Sequence, residues 1–379
     1  MLELTNISAP PPPDLPSYAE HGLLNAAELQ EWCNQHADTD FLVPEFLPRQ
    51  PITLACGRSG EGKSPLNLQL AICLDLELPF LDFPVGKRAR SIICSGEDYP
   101  LQTAGQIERL TRALTGKVVT PPGVMTFNAN VTPEQFNLEG LEKRITVFKP
   151  DLVFLDPAIT FFPSLEDNAE AVTDAYKKLR LLQKQHGCSF VLVHHLVKGL
   201  RDNEQYKPLN ECYPNPRYWF DHARGTSALV QYADVRIGFD TSRGTLHVGG
   251  YKRATGNLPL VYMGRLTDPD DGTPLAYKRL GGEAMLSETK RGMYQRLPDS
   301  FTPTEVKEVS GWKQDSQVHA FLQELKSLGL VTQATKRQPY LKVQQAGQAE
   351  QAQQAEQAED LEVLKLGTLA GKGGYTSRS

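Results

Sequence analysis

The chain has 379 residues, 40% hydrophobic and 22% charged, with 40 Lys and Arg against 45 Asp and Glu for a formal net charge of -5. That length allows one large core with smaller modules, and the acidic balance excludes a global positive field, so any contact with nucleic acid must come from a local patch or from patches gathered in a ring. Six scattered cysteines (Cys33, Cys56, Cys73, Cys94, Cys188, Cys212) with no C-x-x-C pair argue against a zinc site; no apolar run reaches the ~20 residues that cross a bilayer and no basic-then-apolar signal opens the chain, so a cytoplasmic protein is expected.

In chain order, residues 1–40 read as a Pro-rich arm. Pro10-Pro11-Pro12-Pro13 favours an extended polyproline conformation, and Leu24 to His36 reads as a short helix capped by Asn25, with Leu29 and Trp32 on one face. Residues 41–285 read as one α/β core. Its first strand is Pro51 to Cys56, followed by a glycine-rich loop and a helix carrying Leu66, Leu68, Leu70, Ala71, Leu74 and Leu76. Strands and helices then alternate: apolar strands near Ser91 to Ser95, Val124 to Phe127, Asp151 to Leu155 and Ser189 to Val193, with helices at Leu101 to Leu114, Leu138 to Phe148 and Ala169 to His186. Continuous apolar strands separated by helices predict a mostly parallel sheet covered on both faces. From Val235 to Val261 shorter segments with turn signals, such as Ser242-Arg243-Gly244, predict antiparallel strands at the sheet edge. Residues 286–343 predict a small winged-helix-like module. Thr302-Pro303-Thr304-Glu305 is a helix start, Asp315 to Leu328 a second helix ended by Gly329, and Leu330 to Thr332 with Tyr340 to Val343 a hairpin. Residues 344–379 open with repeated x-Gln-Ala triplets and read as a low-complexity tail.

The chemistry centres on Gly57-Arg58-Ser59-Gly60-Glu61-Gly62-Lys63-Ser64, which fits G-x-x-x-x-G-K-[ST] at every fixed position. Glycines let successive backbone N–H groups turn inward toward phosphate oxygens. Lys63 can reach the β- and γ-phosphates of ATP, and the Ser64 hydroxyl can ligate Mg²⁺. The helix that follows presents its N-terminus to the same phosphates. Pro65 is unusual there: its missing N–H does no harm to a first helical turn, but removes a donor that would face the α-phosphate.

Asp156 ends the strand Leu152-Val153-Phe154-Leu155-Asp156, where a carboxylate can hold the Mg²⁺ shell. Glu97, in Ser95-Gly96-Glu97-Asp98, can orient and deprotonate an attacking water; Asp98 competes for that role, and either can cap the next helix. His194 and His195 end another strand. His194 is a candidate γ-phosphate sensor, or else a buried histidine held by hydrogen bonds.

FLVP before the first strand, GRSGEGKS, SGED, LVFLDP, VLVHH and then Ala223-Arg224-Gly225-Thr226-Ser227-Ala228-Leu229 occur in this order. Together they resemble the RepA-type hexameric replicative helicases of plasmids, within the RecA/DnaB-like P-loop ATPases, over about residues 41 to 265. The resemblance implies a RecA-like core, a hexameric ring of identical subunits, ATP hydrolysed between them, and single-stranded DNA in the central channel. It also implies Glu97 as catalytic base and Arg224 as the arginine that reaches a neighbour's nucleotide. Lys252 and Arg253 fall near where related motors place basic residues, without a clean match. By position, the long polar segment Lys198 to His222 corresponds to the family's channel loop. Lys198, Arg201, Lys207 and Arg217 are its candidate DNA contacts, beside Tyr218 and Trp219, although four acidic residues nearly balance the charge. The C-terminal module can serve a replication partner protein or duplex DNA. A DNA- or protein-binding ATPase switch that does not unwind DNA is the alternative to a helicase.

Overall fold

The computed structural model describes residues 25–36, 41–49, 51–197, 206–213, 215–242, 245–252, 256–268, 273–328, 330–333 and 338–343. The polyproline segment, Lys198, Arg201, Arg253, Gly329 and the Gln/Ala tail lie outside them. Helix α1 (Ala26–His36) starts where Asn25 Oδ1 accepts from the Ala27 and Glu28 amides at 2.9 and 3.0 Å, and the Glu28 carboxylate returns a bond to the Asn25 amide at 2.8 Å. Strands β1 (Phe41–Val43) and β2 (Leu47–Pro48) pair antiparallel, and Phe46 between them packs on Phe80 and Phe83.

The core then runs β3 (Ile52–Gly57), α2 (Lys63–Leu76), β4 (Ser91–Ser95), α3 (Pro100–Thr115), β5 (Val124–Asn128), α4 (Leu138–Phe148), β6 (Leu152–Asp156), α5 (Ala169–His186) and β7 (Ser189–His195). Next come α6 (Arg217–Phe220), α7 (Ser227–Tyr232), β8 (Val235–Ser242), β9 (Thr245–Lys252), β10 (Gly256–Asn257), β11 (Val261–Thr267) and β12 (Pro274–Leu280). Among the described residues these strands form one sheet in the order β12-β11-β9-β8-β3-β7-β6-β4-β5, with β10 beside β9. From β8 to β5 the neighbours are parallel; β9 pairs antiparallel with β10 and β11. This is an α/β fold with a large, mostly parallel sheet and antiparallel additions, a RecA-like P-loop core.

Burial explains the layers. Every residue of β3 and β4 is buried, because helices cover both faces. Helix α5 turns Val172, Ala175, Tyr176, Leu179 and Leu182 inward at helical spacing; Asn168 caps its start and Gly187, at φ 71°, ends it.

The chain divides into two compact units: residues 1–240, 249–260 and 265–277, and residues 241–248, 261–264 and 278–379. The second contains α8 (Glu288–Arg296), β13 (Ser300–Phe301), α9 (Pro303–Ser310), α10 (Asp315–Ser327), β14 (Val331–Thr332) and β15 (Tyr340–Lys342). Its three short strands lie in the order β13-β15-β14 over a core of Phe301, Val306, Phe321, Leu322 and Leu325. Thr302 and Glu305 close the capping box at the start of α9, with Pro303 at its first position. Helix α8 and strand β13 are elements the sequence reading did not anticipate. Among the described residues no helix is long and apolar enough to cross a membrane.

Candidate nucleotide-hydrolysis site

Strand register sets the site. Gly57, at the end of β3, is level with His195 of β7 and Phe239 of β8, while Ser95 of β4 is level with Asp156 of β6. The chemistry-bearing residues therefore emerge along the carboxyl edge of the parallel strands, where open α/β sheets place ligands. Gly60 and Gly62 adopt φ 80° and 86°, which L side chains rarely take, so glycine lets the loop close here.

Lys63 opens α2 and is only 5% exposed. Its ammonium donates to the Gly57 and Arg58 carbonyl oxygens at 2.9 and 2.8 Å. Burial lowers its pKa, opposed by the charges of Asp156 and Glu61. Within the loop, Glu61 accepts from the Arg58 amide at 3.1 Å and pairs with its guanidinium. The same guanidinium lies 3.5 Å from the fully buried Asp240. The Ser64 hydroxyl hydrogen-bonds the Asp156 carboxyl, whose pKa is raised to about 6 by burial, against the pull of Ser64 and Lys63. Pro65 occupies the third helical position, and the ladder begins with the Leu66 amide on the Gly62 carbonyl at 3.1 Å, so the helix loses no bond to the proline.

A pocket of about 460 Å³ lies over this loop. Ser59, Gly60, Gly62, Lys63, Ser64, Pro65, Glu97, Asp98 and Asp156 line it, so the structure brings these predicted residues together, while Gly57, Arg58 and Glu61 of the predicted loop lie outside the lining. Glu97 is exposed, whereas Asp98 is half-buried with a pKa raised by burial and then by Glu97. Asp98 is also held by its backbone: its amide donates to Ser95 Oγ at 3.1 Å and its carbonyl accepts from Asn128 at 2.6 Å. The expectation that either acid caps α3 is corrected, since Tyr99 takes that position.

His195, not His194, lines the pocket. His194 is buried with its Nε2 2.7 Å from the Arg224 carbonyl oxygen, and burial lowers its pKa. Successive strand residues point to opposite faces, which is why these neighbours separate. The Arg224 amide donates to the His195 carbonyl at 3.0 Å. Its guanidinium, outside the pocket lining, lies 2.9 Å from Glu166.

Sequence reasoning missed several lining residues: Gln106 and Arg109 from α3, Arg265 from β11, and Leu275 and Tyr277 from β12. Tyr277 packs over Gly62, and the buried Gln69 amide fixes that strand by accepting from the Tyr277 amide and donating to its carbonyl, both at 2.8 Å. Gln69, one of the polar residues of α2 buried beside Asn67 and Asp75, was a signal that something docked there.

Among the described residues of the expected channel segment, 206–213 and 215–222, several are anchored to one carboxylate. Asp240 accepts from the Tyr206 hydroxyl at 2.5 Å, the Leu209 amide at 2.9 Å and Trp219 Nε1 at 3.2 Å. Trp219 is therefore a core residue, because its large apolar ring and its N–H are both satisfied inside. Lys207, Arg217 and Tyr218 are exposed, with Arg217 5.4 Å from the Tyr251 ring centre. Lys252 is engaged within its own chain, 3.3 Å from the Glu45 carbonyl and over Phe41.

A glycine-rich loop carrying a buried lysine, with a hydroxyl–carboxyl pair beside it at the ends of parallel strands, defines a P-loop nucleotide site. Residues 28–200 match the family model described as AAA domain, which supports a P-loop ATPase of the AAA/RecA-like kind, hydrolysing nucleotide, for this part of the chain. No curated protein matches the chain.

Proposed function

We propose that this protein is a ring-forming ATPase of the RepA helicase type that moves on single-stranded DNA, with ATP and Mg²⁺ bound at the loop. Lys63 and the loop amides bind the phosphates, and Glu97 orients and deprotonates the attacking water. The donor set fits Mg²⁺: Ser64 and Asp156 offer hard oxygens, and among the described residues no cluster of three His, Cys, Asp or Glu competes for a softer metal. Bound there, Mg²⁺ neutralises charge on the phosphates.

The observation that carries the reading is Arg224. It stands outside its own pocket, half exposed, yet its backbone is tied to the strand end whose His195 lines that pocket. Such an arginine is available to a second subunit, and one supplied in trans is worth ~10³–10⁵ in rate. His195 takes the phosphate-facing role expected of His194. Exposed Lys207, Arg217 and Tyr218 suit single-stranded DNA, which combines backbone charge with stacking.

The second reading, a switch ATPase that does not unwind DNA, is favoured by Arg109 and Arg265, which bring charge to the pocket from the same chain. The C-terminal module has the helix, strand, helix, helix, two-strand order of a winged helix. The exposed residues of α10, Asp315, Ser316, Gln317, His319, Ala320 and Gln323, include no Lys or Arg, which favours a protein partner over duplex phosphates.

Mixing decides the matter. Arg224→Ala subunits keep a working loop, and Lys63→Ala subunits keep the arginine. Each alone is expected to be inactive and the mixture to recover ATPase activity, with wild-type turnover falling on dilution. A mixture that stays inactive while both variants assemble, or wild-type turnover that persists in demonstrated monomers, refutes the ring reading.

A further inference from the structure

This inference rests on the reading of Arg224 as an arginine that acts on a neighbouring subunit's nucleotide, and concerns what aims it. Three contacts converge on the turn that carries it, and all involve one acid or its backbone. Glu166, 14% exposed, places Oε2 2.9 Å from Arg224 Nε. Its Oε1 lies 3.9 Å from His194 Nε2, the nitrogen that faces the Arg224 carbonyl at 2.7 Å. A carbonyl can only accept, so that nitrogen carries the hydrogen, and burial keeps the ring neutral by lowering its pKa. Gly225, at φ 93°, lies against the Glu166 backbone: a Cβ there would come within 2.9 Å of the Glu166 Cα. Only glycine lets the two segments approach this closely.

The geometry of the pair matters. Contact through Nε engages the inner edge of the guanidinium and leaves donors on the outer Nη edge, on a side chain that is 49% exposed. A free arginine side chain samples many rotamers, and part of that freedom must be lost before it can meet a phosphate. A carboxylate that pins the inner edge removes that cost in advance, and a phosphate brings more negative charge than the carboxylate it faces.

We propose that Glu166 is a positioning residue that presents Arg224 outward for trans action on the neighbouring nucleotide site. It lies outside the lining of its own subunit's pocket. The acid is absent from the motifs that pointed to the site, and only the fold brings it beside Arg224.

The test uses full-length subunits in mixed rings and asks which partner needs the acid. The reference mixture is Lys63→Ala with Arg224→Ala. In the donor arm, Lys63→Ala/Glu166→Ala replaces the arginine donor. In the acceptor arm, Arg224→Ala/Glu166→Ala replaces the working site. The donor arm is expected to lose at least about tenfold in ATPase rate, and the acceptor arm to stay within about twofold of the reference. Glu166→Gln, which keeps the side chain's size and an oxygen beside Nε but loses the charge, is expected to rescue part of the donor loss. A merely structural role lowers both arms together, and that result, like a donor arm equal to the reference, overturns the proposal. Should the Ala double variants fail to assemble, the Gln arms decide by the same asymmetry. A reference mixture without activity is a separate outcome: it shows that Arg224 does not act in trans and overturns the underlying reading.

Discussion

Asp240→Ala tests whether the phosphate loop and the segment after β7 are held by one buried carboxylate. Asp240 is fully buried and accepts from the Tyr206 hydroxyl, the Leu209 amide and Trp219 Nε1 through Oδ2, while Oδ1 faces Arg58 at 3.5 Å. On truncation, Arg58 keeps Glu61 and Trp219 Nε1 keeps the Tyr206 oxygen at 3.2 Å, so two donors, the Leu209 amide and the Tyr206 hydroxyl, lose their acceptor. At about 1–3 kcal/mol for each buried group left unsatisfied, the cost is about 2–6 kcal/mol. For a chain of 379 residues that corresponds to a midpoint lowered by about 3–8 °C. Asp240→Asn retains an oxygen toward the three donors and is expected to cost only about 1 kcal/mol. Thermal unfolding gives the magnitude, and amide exchange over residues 206–213 and 57–62 gives the location, both stretches exchanging faster in Asp240→Ala. An unchanged midpoint with unchanged exchange in both stretches would refute the view that this carboxylate ties them together.

Glu97→Gln keeps the shape of the candidate base and should bind ATP while losing turnover by about 10²-fold or more, whereas Asp98→Asn, whose backbone is already anchored, should retain most activity. The reverse ranking in single-turnover assays assigns the base to Asp98. Pro65→Thr restores an N–H in the first turn of α2 and should tighten ADP by about 1.5–3 kcal/mol; an equal dissociation constant by calorimetry shows that another donor already serves the phosphate. Burial depresses the pKa of His194 below its ordinary 6.5, with Glu166, His195 and Arg224 as its charged neighbours. The unfolded chain therefore takes up that proton first as pH falls, so the His194 contribution is present above pH of about 6.5 and lost below it. Between pH 7.5 and 5, His194→Gln should show a shallower fall in melting midpoint than wild type, and parallel curves would exclude the linkage.

The sequence by itself determined the local chemistry: the loop Gly57 to Ser64, Asp156 after four apolar residues, and Glu97 beside Asp98. Each is legible because its spacing is set by contacts within a few residues, between strand, turn and helix. The parallel sheet was legible for the same reason, since strands buried on both faces must be apolar throughout. What lay beyond short range was not. His194 and His195 differ by one position, and only the packed sheet decides which of them meets the pocket. Trp219 looks like a loop aromatic until Asp240, 21 residues on, supplies its partner. Arg265 and Tyr277 reach the loop because the strands of the edge fold back over α2, and Glu166 meets Arg224 because β6 and β7 are neighbours. These contacts join segments tens to hundreds of residues apart. No periodicity or motif encodes such pairs, because what brings them together is the burial of the whole sheet rather than any local preference.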